Sequence, residues 1–148
     1  MSEKNLALAC SEVINKKSMY EKHLGIEIED IDFGYAKVTM KVQDFMINGN
    51  DTCHGGAIFS FADMTFAYAC NTKNIPTVAF SCDITYLKPA FKNDLLTAVG
   101  KVRTMVGRNG ICEVTISNQN NEIIAFFIGK SKELKGSILN DKQLKEVR

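Results

Sequence analysis

The chain has 148 residues, long enough for one well-buried core, and its apolar and charged content is that of an ordinary folded protein. A formal net charge of +1 excludes the strong global field that draws a chain to nucleic acid or an anionic membrane, so an anionic ligand must rest on local basic groups. No apolar run approaches the roughly 20 residues of a membrane helix, no leader pattern is read at the N-terminus, and five cysteines without a pairing rhythm fit the reducing cytoplasm.

Residues 1–23 mix Leu6, Cys10, Val13, Ile14 and Met19 with lysines and glutamates, which predicts one or two amphipathic helices with Ser18 and Glu21 as a capping box. Gly25 to Asp32 and Tyr35 to Gln43 alternate at strand period and are joined near Phe33-Gly34, as a hairpin. A polar loop from Phe45 to Cys53 leads into Gly55–Cys70, a helix apolar on nearly every side whose only charge is Asp63. Beyond Pro76 the chain reads as strands at about 77–87, 94–106, 111–118 and 122–131, and short connections favour antiparallel pairing among them. The lysine-rich segment 135–148 is expected to fray. One sheet of about six strands must cover one apolar helix. An α+β domain, a curled antiparallel sheet around a long buried helix, spans residues 1–148.

The chemistry concentrates at Asn48-Gly49-Asn50-Asp51-Thr52-Cys53-His54-Gly55-Gly56. Glycines at a helix start let backbone N–H groups and the positive dipole end approach a developing oxyanion. Asn48 offers a side-chain N–H, and His54 either orients it or hydrogen-bonds a leaving sulfur. Glycines at that place also serve simply to cap a helix. Asp63 is costly to bury without partners or a task, so it sits in a solvent-facing notch, bonds a neighbouring backbone, or acts as general base or nucleophile. Gly55 and Asp63 are eight residues apart, about 12 Å along a helix, too far to serve one carbonyl from one copy. A shared site therefore needs two antiparallel helices across a two-fold axis.

Asn48-Gly49, Cys53-His54-Gly55-Gly56, Phe59, Ala62-Asp63, Phe66-Ala67-Tyr68-Ala69-Cys70-Asn71 and Tyr86-Leu87-Lys88-Pro89-Ala90 together resemble the phenylacetic-acid-degradation type of hotdog-fold acyl-CoA thioesterase, over roughly residues 18 to 135. The resemblance implies hydrolysis of aryl-acetyl-CoA-like thioesters to an acid and coenzyme A, with no cofactor beyond the coenzyme A of the substrate. It implies that Gly55 N–H and Asn48 bind the thioester oxygen, that Asp63 of a facing subunit is base or nucleophile, and that His54 supports Asn48 or the leaving thiolate. It further implies a homo-oligomer, a dimer at least and a tetramer built from two dimers.

Relatives with this Asp add a Ser or Thr to place the water. Thr77 and Ser81 are expected at the right strand parity, with Ala79 between them, and Asn50-Asp51 departs from the family's His-Gly. Coenzyme A is expected on Lys88, Arg103, Gly107-Arg108-Asn109 and Lys130, and the acyl group against Ser81, Phe59, Phe66 and Tyr68. No paired Cys or His spacing suggests a metal, and no nucleophile elbow suggests a serine hydrolase. A non-catalytic acyl-CoA binding module and a hydratase or dehydratase on the same fold are the alternatives.

Overall fold

The computed structural model describes residues 1–147. Helix α1 (Glu3–Lys17) starts at Ser2, whose side chain accepts from the Asn5 N–H, and buries Ala7 and Cys10. The short α2 (Met19–Leu24) ends at Gly25, in the left-handed conformation with φ 70°. The expected capping box is not formed. The Ser18 N–H that Glu21 would have bonded is already donated to Ile14 O at 3.2 Å, and Glu21 is itself buried.

Strands β1 (Glu27–Asp32) and β2 (Tyr35–Lys41) form the anticipated hairpin. Helix α3 (Gly55–Cys70) follows, then β3 (Thr77–Tyr86), β4 (Leu95–Val106), β5 (Asn109–Ser117) and β6 (Ile123–Glu133). The six strands form one sheet in the order β1-β2-β4-β5-β6-β3, and every neighbouring pair is antiparallel. Strand β3 does not pair with β4, its successor in sequence; it pairs with β6 and forms one edge. The short connections that the sequence shows are hairpin turns only at β4–β5 and β5–β6.

The sheet's inner face, with Val38, Met40, Ala98, Val114 and Phe127, wraps the buried side of α3, where Ile58, Phe61, Ala62, Thr65, Phe66 and Ala69 lie. Gly129 on β6 makes this approach possible: a Cβ there would stand 2.4 Å from the Phe66 ring. Buried Thr65 stays satisfied by bonding back to Phe61 O. The wrap is incomplete. Gly56, Ser60, Asp63, Ala67 and Cys70 form a strip along α3 at helical spacing that the sheet leaves partly open. This α+β arrangement of a curled sheet around one long helix is the hotdog fold.

The terminal segment differs from its expected frayed state. Leu139 is buried, the Asn74 side-chain oxygen accepts from the N–H groups of Ile138 (3.0 Å) and Leu139 (2.7 Å), and α4 (Asp141–Val147) follows; Arg148 lies outside the described residues. Lysine-rich composition hid a single apolar anchor. Asn74→Ala should speed hydrogen exchange at Ile138 and Leu139 and cost about 1 to 3 kcal/mol locally. Unchanged exchange would remove Asn74 as the clasp.

Candidate active site

The loop before α3 is shaped by Asn48. Its side-chain oxygen accepts from the N–H groups of Asn50 (2.9 Å) and Thr52 (3.2 Å), and its amide nitrogen donates to Thr52 Oγ1 at 3.0 Å. One amide hydrogen is thus used within the loop and the other remains to donate. Thr52, not His54, orients Asn48, and sequence reasoning missed it. Asp51 takes φ 60° inside this turn, where Asn, Asp and Gly are the tolerated residues.

His54 caps α3 instead. Its Nδ1 accepts from the Gly56 N–H at 2.9 Å, which leaves the ring's proton on the exposed Nε2 side. The His54 carbonyl accepts from Ala57 (3.0 Å) and Ile58 (3.3 Å). Of the four N–H groups that a helix leaves free at its start, only that of Gly55 lacks a partner among the described residues. Tyr86 closes over this point, its hydroxyl donating to Gly55 O at 2.8 Å. A Cβ at residue 55 would meet the Tyr86 ring at 3.1 Å, so any larger residue would push the ring back by a few tenths of an ångström. Tyr86 was visible in sequence only as part of a family-like run. A cavity of about 310 Å³ opens beside Gly55, walled by Thr52, Ile58, Tyr86 and Lys88.

Asp63 lies two turns further on, half-buried, on the partly open strip. Its carboxylate makes no hydrogen bond or ion pair among the described residues, and burial pushes its pKa above the ordinary 3.8. Cys82 on β3 faces it: burial raises the Cys82 thiol first, and the Asp63 charge raises it further. The shared parity expected for Thr77 and Ser81 is broken by a bulge between Ala79 and Ser81. Thr77, Ala79, Cys82 and Tyr86 oppose Glu133, Ser131, Gly129 and Ala125 on the helix side, whereas Ser81 opposes exposed Lys130. A bulge of one residue has no signature in strand alternation.

The aromatic residues separate. Phe59 and Phe66 both pack edge-on against Phe127, at 5.6 and 6.0 Å between ring centres, with Phe59 half-buried on the side of Asp63. Tyr68 points the other way, fully buried, with its hydroxyl bonded by Asn15 of α1.

The cations also divide between two ends. Lys88, paired with Glu122, flanks the Gly55 cavity. The Gly107-Arg108-Asn109 turn, held by the Glu133 N–H on Arg108 O, lies at the opposite end of the sheet, about 30 Å away along the strands. Arg103 is paired with Glu113 at 2.6 Å, and Lys130 is exposed on the outer face. One coenzyme A cannot reach both ends within one copy.

Cys53 is buried, which pushes its thiol up to about 11 and makes it a poor thiolate nucleophile at neutral pH. Among the described residues no three His, Cys, Asp or Glu side chains converge as metal ligands, and no helix is long and apolar enough to cross a membrane.

Fold and site together define a hotdog protein with an anion-stabilising helix start and one uncompensated carboxylate. Residues 50–125 match the thioesterase superfamily, and the chain belongs to it. It is 43% identical over 132 residues to the acyl-coenzyme A thioesterase PaaI of Escherichia coli, covering 86% of this chain and 94% of that protein. The solved E. coli PaaI protein from the phenylacetic acid degradation operon superposes with a TM-score of 0.90 at 40% identity, covering 92% of this chain and 99% of that one. A hypothetical thioesterase of Streptococcus pneumoniae, solved with coenzyme A, superposes with a TM-score of 0.72 at 25% identity over 76% of this chain and 90% of that one.

The raised pKa of Asp63 has a consequence for stability. Below the unfolded value of 3.8 the carboxyl is protonated in both states and has no effect; as pH rises from 3.8 to the higher folded value the unfolded chain ionises first, so the folded state loses stability across that window and the loss stays constant above it. Asp63→Asn should therefore raise Tm at pH 7, and the gain should vanish below about pH 3.8 in thermal unfolding scans. A destabilised variant at pH 7 would mean that the carboxylate has a partner in the native assembly.

Proposed function

We propose that this chain is an acyl-CoA thioesterase that hydrolyses aryl-acetyl-CoA or similar thioesters to the free acid and coenzyme A. The observation that carries this reading is the pair of unpartnered groups on α3: the Gly55 N–H at its start and the Asp63 carboxylate two turns later. The kinship with the E. coli PaaI thioesterase supports the substrate class. No cofactor is needed beyond the coenzyme A that the substrate brings.

Gly55 N–H, aided by the helix dipole and the remaining amide hydrogen of Asn48, polarises the thioester carbonyl. Asp63 of a facing copy either takes a proton from the attacking water or attacks the carbonyl itself, giving an anhydride that water then opens. The C–S bond breaks, and the thiolate gains a proton within reach of the outward N–H of His54. Because the two groups are eight residues apart on one helix, about 12 Å, this reading takes them from different copies. Strand β3 suits that assembly, because it is an edge of ten residues with Val78 and Phe80 exposed on it. Antiparallel pairing of two such edges would also bring the Lys88 end of one copy toward the Gly107–Asn109 end of the other. Two such dimers make the tetramer, and the enzyme works in the cytoplasm.

Turnover of an acyl-CoA panel, read as free thiol, tests the activity. Asp63→Asn should lower kcat by about 10² or more; near-normal turnover would remove Asp63 from the chemistry. The acidic limb of the kcat/KM profile should lie above pH 3.8, the ordinary value from which burial displaces Asp63. Two separately inactive variants, Gly55→Val and Asp63→Asn, should regain about a quarter of wild-type activity when refolded together in equal amounts, because half the dimers are mixed and each holds one intact site. No recovery from co-folded protein would contradict the shared site.

A further inference from the structure

Three cysteines gather under the last turn of α3. Cys112 on β5, Gly129 on β6 and Cys82 on β3 are paired in register, so they form one row across the inner face of the sheet. Cys70, on the helix above that row, hydrogen-bonds the Cys112 thiol and lies within electrostatic reach of Cys82. Two glycines let the helix come this close. A Cβ at Gly129 would stand 2.4 Å from the Phe66 ring, and one at Gly100 would stand 3.4 Å from the Cβ of Ala69, the neighbour of Cys70. Close backbone approach is what a disulfide needs, since its Cα atoms must lie within about 7 Å of each other.

The two hydrogen-bonded thiols differ in access. Cys112 is fully buried, whereas Cys70 is partly exposed and lines a cavity of about 240 Å³ at the end of α3 opposite Gly55. Gly34, Thr77, Val102 and Met105 are among the other walls, at the end of the sheet where the β1–β2 and β4–β5 turns lie. A space of that size admits a molecule as small as a peroxide. Cys112 keeps its proton, because the hydrogen bond with Cys70 and then burial raise its pKa. The thioester chemistry uses neither residue.

We propose that Cys70 and Cys112 are a peroxide-sensitive pair whose reversible disulfide staples the last turn of α3 to β5. Cys70 is the thiol that the oxidant reaches. Its sulfur attacks one oxygen of hydrogen peroxide; the S–O bond forms, the O–O bond breaks, and hydroxide leaves as water with the thiol proton. Cys112 then attacks the Cys70 sulfenic sulfur. The S–S bond forms, the S–O bond breaks, and hydroxide leaves with the Cys112 proton as a second water. Two thiols lose two electrons and one peroxide becomes two waters. An excess of a small thiol reverses the bridge by exchange. The bond joins residues about 40 apart in sequence, which restricts the unfolded chain and stabilises the fold.

The test treats the full-length protein with hydrogen peroxide, blocks the remaining thiols, and maps unreduced peptides by mass spectrometry. The wild type should give a Cys70–Cys112 linked peptide that dithiothreitol abolishes, and the oxidised protein should melt about 5 °C or more above the reduced one. Cys112→Ala should leave Cys70 as a sulfenic acid that dimedone labels, while Cys82→Ser should keep the linkage. The wild-type map depends on no variant, so a misfolded variant does not spare the proposal. Dimedone-labelled Cys70 in the wild type without a linked peptide would overturn it. So would a Cys70–Cys82 link, a lowered Tm on oxidation, or a Cys70 that stays unmodified at a peroxide concentration that oxidises the urea-unfolded chain. None of these readouts requires turnover, so the outcome is independent of the hydrolase reading.

Discussion

A helix with apolar side chains on nearly every side has to be enclosed, and a single six-stranded sheet closes only part of the way around it. Everything distinctive about this molecule follows from that shortfall. The sheet takes the side of α3 that carries Phe61, Ala62 and Thr65, and leaves the strip of Gly56, Ser60, Asp63 and Ala67 half-covered beside an open edge strand. The uncovered part of the helix is where its one charge and its free N-terminal donor both lie. Incomplete burial is thus what makes chemistry available on an element that is otherwise core.

The Gly55 N–H and the Asp63 carboxylate are each left in want of a partner for a different reason. His54 satisfies three of the four N–H groups at the start of α3, through its ring and its carbonyl, and so isolates the Gly55 N–H as a single aimed donor. Tyr86 fixes the peptide that carries it. Asp63 is uncompensated because its neighbours on the strip are small or apolar, and a neighbouring thiol cannot replace water as a hydrogen-bond donor. A carboxylate held in that condition is more basic than one in water, which suits a group that must take a proton or attack a carbonyl.

Much of this was legible in the residues. The boundaries Gly55 and Cys70 of the buried helix, the β1–β2 hairpin and the single charge at Asp63 follow from periodicity and composition, because those signals are local. The family-like run from Asn48 to Asn71 pointed to the thioesterase fold. What escaped depended on contacts between distant segments or on one-residue irregularities. The placement of β3 beside β6 is a matter of topology, and the bulge that turns Ser81 outward and Cys82 inward leaves no mark in the alternation. Leu139 and Asn74 dock the terminal segment across more than 60 residues of sequence, and lysines around them read as solvent-exposed chain. Thr52 behaves likewise: its role as the partner of Asn48 depends on a loop closing on itself.

The most direct test is a crystal structure of the assembled protein with a non-hydrolysable thioester analogue of coenzyme A. A site shared between copies predicts the analogue's carbonyl oxygen within about 3 Å of the Gly55 nitrogen of one copy, with Asp63 of another copy facing the carbonyl carbon. An analogue bound wholly within one copy, or Asp63 of every copy turned to bulk water, would contradict it.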